Sequence, residues 1–461
     1  MMISKTSLAL LCDFYEFTMS QGYFKNNKKD QICYFDIFFR KIPDSGSFAI
    51  FAGLEDILDF VENLSFDTED IEFLRKQGIF DTEFLDFLSS FKFKGEIYAM
   101  REGEVIFPNE PLLCVKATTI EAQLLETFLL LSLNHQSLIA TKTNRIVRAA
   151  KDSKILEFGS RRAQGSEAAL KGARAAFIGG CIGSACTLAG KIYNIPINGT
   201  MAHSWVQMFE NELEAFKAYV KIYPKNPVFL IDTYDCLNSG LKNAIKVFKE
   251  FGIQEGGVRI DSGNLLELSL KIRQELDQAG LQKCKIIVSN ALDEWSIKKL
   301  KEQNAPIDIF GVGERLITAS SNPIFSCVYK LAALEDQGIK PKIKISENNE
   351  KSTLPHFKKL FRVYDKNTQK ILFDELYVFD ENPNQDENLE RKELLELVYK
   401  EKRLLKKSSL NTIQDYTKEQ ISKLDESFLD LDRFVKFEVK LSPKLQNITE
   451  DLLKNSFLKS T

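Results

Sequence analysis

The sequence predicts an α/β protein organised on a parallel barrel, regular or irregular, with an open doubly wound sheet as the alternative. Three observations carry this. Six short apolar runs, at 155–158, 195–197, 228–231, 258–260, 286–288 and 307–310, alternate for the most part with amphipathic helical stretches such as 265–278 and 294–303. The last four runs begin 30, 28 and 21 residues apart, at 228, 258, 286 and 307, which is the room a strand–helix–strand unit needs. Each run also ends in polar residues or glycine. In order these are Gly159, Ser160, Arg161 and Arg162; Thr200, His203 and Ser204; Asp232, Thr233 and Asp235; Asp261, Ser262 and Gly263; Ser289 and Asn290; Gly311 and Gly313. A parallel barrel gathers such ends on one face, where barrel enzymes place their chemistry. One aspartate at a strand end also caps the next helix; six ends of this kind exceed what capping requires.

Residues 7–24 read as an amphipathic helix with Leu8, Leu11, Phe14, Phe17 and Met19 on its apolar positions. Asp13 and Tyr15 within it have a plain reading, a solvated carboxylate and a core aromatic. Next come a buried strand at 32–39, a helix at 49–64, two short Phe-rich helices over 66–93, and strands over 95–118 with a turn between Pro108 and Pro111. Residues 1–120 thus form a mixed α+β domain. The barrel domain spans 121–335 and opens with a helix over 120–150. A C-terminal region, 336–461, holds a basic, strand-rich stretch at 340–365, an acidic loop and charged helix over 379–409, and a mainly helical end from 416 to 458.

Composition sets bounds. The 461 residues are 44% apolar and 28% charged, with 62 basic and 65 acidic side chains for a net charge of −3. That balance gives no global electrostatic case for nucleic acid or an anionic membrane. No run of apolar residues is long enough to span a bilayer. The start, with one Lys and with Asp13 and Glu16 inside its apolar run, is not a secretory signal. The eight cysteines form no C-x-x-C pair and have mostly apolar neighbours, so they read as reduced thiols of a cytoplasmic protein.

The chemistry follows from the strand ends. Arg161 and Arg162 beside Gly159 suit phosphate oxygens. Asp232 and Asp261 suit a ribose hydroxyl or Mg²⁺. In GVRIDSG (257–263), Asp261 would hold a ribose diol with Arg259 beside it. In FGVGER (310–315), backbone N–H groups of Gly311 and Gly313 would hold phosphate, although no Walker A loop is present. The ligand class is a phosphorylated sugar, with magnesium. His203 has three readings that the residues do not separate: a core side chain, a general base, or an acceptor of a phosphoryl group from ATP.

The stretches LLCDFYEFTMSQGYF, FFRKIP, FAGLEDIL, SLIATKTNRIV, EFGSRRAQG, GTMAHSWV, DTYD, VRIDSGN, SNALDE and FGVGERL resemble, in order, the motifs of the nicotinate phosphoribosyltransferase family. The resemblance implies an irregular α/β barrel, an N-terminal α+β domain and a C-terminal extension packing back on it. It also implies a homodimer with sites at the interface. The implied reaction joins nicotinate to phosphoribosyl pyrophosphate, with ATP as co-substrate and Mg²⁺, and His203 carries a phosphoryl group. Tyr15 would cross from the partner subunit to stack on the pyridine ring opposite Phe158. Ser204 would lie on the nicotinate side. Arg161, Arg162 and Arg259 would bind the nicotinate carboxylate or the phosphates. Asp232 and Asp261 would serve ribose and Mg²⁺, and Ser289, Gly311 and Gly313 the phosphates. The chain departs from the family at GSAC (183–186), where G-T-S-N is common, and at His135, where an aromatic is common. Two rivals are a nicotinamide-specific transferase of similar fold and a non-catalytic nucleotide sensor; a quinolinate enzyme fits less well, having no need of a phosphorylatable His203.

Overall fold

The computed structural model describes residues 8–345 and 353–459, with side chains to 455. It divides into two compact units, Met1–Leu138 with Ile324–Thr461, and Ile139–Pro323. This corrects the three-part division at 120 and 335. The reason is strand pairing: Val328–Glu335 lies antiparallel to Ile32–Phe38, and Glu396–Lys400 to Glu96–Ala99, so both return to the sheet of the N-terminal residues.

The first unit is built on a seven-stranded sheet in the order Ile339–Pro341, Val328–Glu335, Ile32–Phe38, Leu113–Thr118, Glu96–Ala99, Glu396–Lys400 and Lys402–Arg403. A four-stranded sheet (Leu389–Glu393, Lys358–Asp365, Ile371–Val378 and Val439–Leu441) belongs to the same unit. The charged helix expected over 379–409 is therefore strand. Its alternating apolar residues find edges to pair with, Leu394, Leu395, Val398 and Tyr399 are buried, and tertiary pairing overrides helix propensity. The two Phe-rich helices form as expected, at Thr68–Lys76 and Thr82–Ser89. Residues 346–352 of the basic stretch lie outside the described residues. Part of the mainly helical C-terminal end is strand, at Val439–Leu441, between the helices Leu410–Ser422 and Pro443–Lys459.

The helix read over 7–24 begins at Phe14 and ends at Lys25, because Asp13 caps it in a box with Glu16. Glu16 is fully buried and accepts hydrogen bonds from Thr127 Oγ1 and the Asp13 backbone N–H. Burial pushes its carboxyl from 4.5 up to about 7, against the pull of those bonds. The folded state thus holds this proton more tightly than the unfolded chain. That stabilisation is complete below pH 4.5 and is lost as pH rises through 7. Glu16→Gln should flatten the thermal stability profile across that window, as read by melting curves at a series of pH values.

In the second unit five parallel strands run in the order Lys154–Glu157, Ile309–Val312, Lys285–Asn290, Gly257–Ile260 and Val228–Leu230. Beyond Lys154–Glu157 the sheet continues through single parallel bridges, Glu157 to Ser184 and Ser184 to Ile197. The strand expected at 195–197 is reduced to one bridge, since Pro196 has no N–H to give a ladder. Among the described residues no ladder joins Ile197 to Val228–Leu230, so the pairing is an open parallel run. The intervening helices, among them Leu265–Gln278 and Glu294–Glu302, turn buried apolar stripes inward. All eight cysteines are free thiols. Among the described residues no helix is long and apolar enough to cross a membrane.

Candidate active site

The C-terminal ends of these strands meet around Arg259. Its side chain is only 13% exposed, at the end of Gly257–Ile260. Nε donates to Ser289 Oγ at 2.8 Å and Nη1 to Thr200 Oγ1 at 3.4 Å, while Nη2 lies 3.8 Å from Asp261 Oδ2. The guanidinium also sits over the Phe158 ring, 5.5 Å from its centroid. Burial pulls its pKa down, Asp261 and Asp232 oppose that, and the nearby Arg161 adds to it.

Asp232 follows Val228–Leu230, and its side chain is 4% exposed. Its Oδ2 accepts from the Asp261 backbone N–H at 2.8 Å and from Ser262 Oγ at 2.7 Å. Oδ1 is buried and has no hydrogen-bond partner; His203 Nε2 lies 4.0 Å from it. His203 opens the short helix His203–Gln207, and its Nδ1 is 3.0 Å from Thr233 Oγ1. With an Nδ1 proton donated to that hydroxyl, the Nε2 lone pair faces the site. Ser204, the next residue, is exposed.

Phe158 and the arginine turn are shaped by glycine. A Cβ on Gly311 would lie 2.5 Å from Phe158 Cδ2, so the missing side chain seats the ring. Gly311 lies inside Ile309–Val312 with a ladder on each side. A Cβ on Gly159 would lie 2.6 Å from Ile317 Cβ, so only glycine lets the turn Ser160–Arg162 close here. Arg161 and Arg162 are exposed on that turn, and Arg162 Nε lies 3.7 Å from Glu314 Oε2. Gly313 begins the short helix Glu314–Ile317.

The second unit thus gathers His203, Asp232, Asp261, Arg259, Ser289, Phe158 and Gly311. Tyr15 belongs to the first unit, on Phe14–Lys25, and is 43% exposed. Among the described residues no group of three His, Cys, Asp or Glu side chains could hold a metal ion unaided. Sequence reading gave no role to Thr200 or Thr233, and it passed over Glu157. A carboxylate within the buried strand residues Ile155, Leu156 and Glu157 is itself a signal, since it must find buried donors.

Two family profiles match the chain: the nicotinate phosphoribosyltransferase (NAPRTase) N-terminal domain over residues 10–134, and the NAPRTase family over 153–375. The nicotinate phosphoribosyltransferase of Bacillus subtilis (strain 168) is 40% identical over 96% of each chain. The chain belongs to the nicotinate phosphoribosyltransferase family. A second relative, nicotinate phosphoribosyltransferase pncB2 of Mycobacterium tuberculosis, is 43% identical over 72% of this chain and 71% of its own. The crystal structure of human nicotinic acid phosphoribosyltransferase superposes with a TM-score of 0.84 at 26% identity, covering 96% of this chain and 99% of that one. Every strand end described above falls within the matched 153–375 of this family member, and Tyr15 within the matched 10–134.

Proposed function

We propose that this chain makes nicotinate mononucleotide and pyrophosphate from nicotinate and phosphoribosyl pyrophosphate, in NAD biosynthesis by salvage, coupled to ATP through phosphorylation of His203. The observation that carries the reading is the cluster of His203, Asp232, Asp261 and Arg259 on the strand ends of a family member. The pyridine nitrogen attacks C1 of the sugar as pyrophosphate leaves, through an oxocarbenium-like state. No protein nucleophile is needed for that bond, so the residues act by positioning and by charge. Phe158 offers a ring face for nicotinate, held at one angle by Gly311 and Arg259. Arg161, Arg162 and Arg259 supply cationic donors for the carboxylate and phosphates, and Ser289 can still give its own hydroxyl proton. The Nε2 of His203, with Nδ1 engaged by Thr233, is the nitrogen suited to accept a phosphoryl group.

Mg²⁺ would neutralise phosphate charge when bound. Asp232 fits it, with a buried oxygen that lacks a hydrogen-bond partner, and Asp261 stands next to it. Two carboxylates beside substrate phosphates suit the usual magnesium coordination.

We read the open parallel run as an irregular barrel. His203 to Thr233 and Thr200 to Arg259 are side-chain links across the gap that no ladder spans. We further expect a homodimer in which Tyr15 stacks against Phe158 of the other copy. Exposed Leu11, Phe14 and Tyr15 on the first unit, and Leu188, Ile192 and Ile197 on the second, are apolar surfaces of the kind an interface covers. The free thiols suit a reducing compartment, the cytoplasm.

The test is product formation from phosphoribosyl pyrophosphate with nicotinate or nicotinamide, each with and without ATP. Nicotinate mononucleotide with matching ADP release is the expected result. Turnover of nicotinamide alone would assign the sister activity, and no turnover of either would leave a nucleotide-binding sensor. His203→Ala should abolish stimulation by ATP and keep slow, uncoupled synthesis; unchanged coupling in that variant would remove the phosphohistidine.

A further inference from the structure

Glu157 ends the strand Lys154–Glu157 and is fully buried. One carboxylate oxygen accepts the Gly159 backbone N–H and the other the Ser184 hydroxyl. No cationic side chain pairs with it among the described residues. Burial pushes its pKa up, and these two bonds oppose that. A buried carboxylate held only by neutral donors is costly, so what the bonds fix must matter to the protein.

Each bond ends on a different arm of the site. Gly159 leads directly into Ser160–Arg162, the turn that carries Arg161 and Arg162. Ser184 Oγ in turn accepts the Cys186 N–H at 2.9 Å, which closes the GSAC turn. Ser184 also holds the other arm by its backbone: its N–H donates to Pro196 O at 3.0 Å, and its carbonyl accepts from Asn198 N–H at 3.0 Å. That arm runs on through Thr200 to His203, and a single bridge joins it to the sheet. To these few backbone bonds the Glu157 carboxylate and the Ser184 hydroxyl add side-chain bonds.

We propose that Glu157 is a positioning residue: through Gly159 and Ser184 its carboxylate holds the Arg161–Arg162 turn and the His203 segment in one mutual geometry. It touches no substrate. The proposal rests on the function argued above, because it takes both arms to serve one reaction.

Glu157→Asp keeps the charge and shortens the reach by one methylene, so it cannot span both donors. It is expected to lower kcat/KM for phosphoribosyl pyrophosphate by about 10- to 100-fold, through a higher KM and a lower kcat. Thermal unfolding should stay within about 3 °C of the parent. Glu157→Gln can accept from Gly159 and donate to Ser184 Oγ, so it should keep most of the activity; a loss as large as that of Glu157→Asp would overturn the bridging role. Arg161→Ala placed on the Glu157→Asp background should cost less than on the parent, since the arginine is already displaced. Additive losses would overturn the proposal, because a merely structural role predicts them. If the parent turns over no nicotinate, the reaction reading fails but this one is still tested. Calorimetric binding of inorganic pyrophosphate should be weaker in Glu157→Asp than in the parent, and equal binding would overturn it.

Discussion

Arg259→Ala is expected to lower kcat/KM for nicotinate mononucleotide synthesis by about 10²- to 10³-fold, as removal of a preorganised charged donor does. The side chain does several things at once. It engages Ser289 and Thr200, approaches Asp261, and covers one face of Phe158. Its loss would leave Asp232 and Asp261 adjacent without the cation that balances them, and would free the ring that nicotinate is proposed to meet. Arg259→Lys should recover little, because an ammonium is a point charge and cannot reach three neighbours from one planar fork. Steady-state kinetics on both variants decide this. A loss under tenfold in Arg259→Ala would show that the guanidinium is a spectator.

Arg362→Ala is expected to destabilise the first unit by about 3–5 kcal/mol, the cost of breaking a buried ion pair from one side. Arg362 is fully buried. Its Nε and Nη2 grip Asp374 at 2.9 and 2.7 Å, and Nη1 donates to Glu104 at 2.6 Å and to the Val105 carbonyl at 2.8 Å. Glu110 lies in the same cluster, its carboxyl pushed far up by burial and by Asp374. Alanine would leave these acids in the interior with no cation. Denaturant unfolding measures the effect. Conversion of Glu104 and Asp374 to Gln and Asn on the alanine background should recover part of it, since the stranded charge and not the lost contact dominates.

The parallel sheet was legible because buried strands at regular spacing leave a plain record: 258–260 and 286–288 fall within the observed strands Gly257–Ile260 and Lys285–Asn290. The gathering of side chains was legible where polar residues end apolar strands, as at Asp232, Arg259 and His203. Strand at Leu389–Glu393 and Glu396–Lys400 was not legible, because a charged segment that could form a helix is decided by the distant edges it pairs with. For the same reason the barrel domain was drawn too long: Val328–Glu335 gives no local sign that its partner is Ile32–Phe38. Glu157 was missed because its role depends on Ser184, which only the folded chain brings beside it.

The first unit is made from both ends of the chain, and this has a consequence for biosynthesis. During translation the strand Ile32–Phe38 emerges early, yet one of its two neighbours, Val328–Glu335, is translated only after the whole of the second unit. Until then it presents an unpaired edge, the feature that templates misassembly between nascent chains. The second unit is continuous in sequence and can complete its sheet while the first is still waiting. Ribosome-bound intermediates of this protein should therefore hold a finished second unit while the first still presents an open β-edge, and that edge is where a chaperone would be needed.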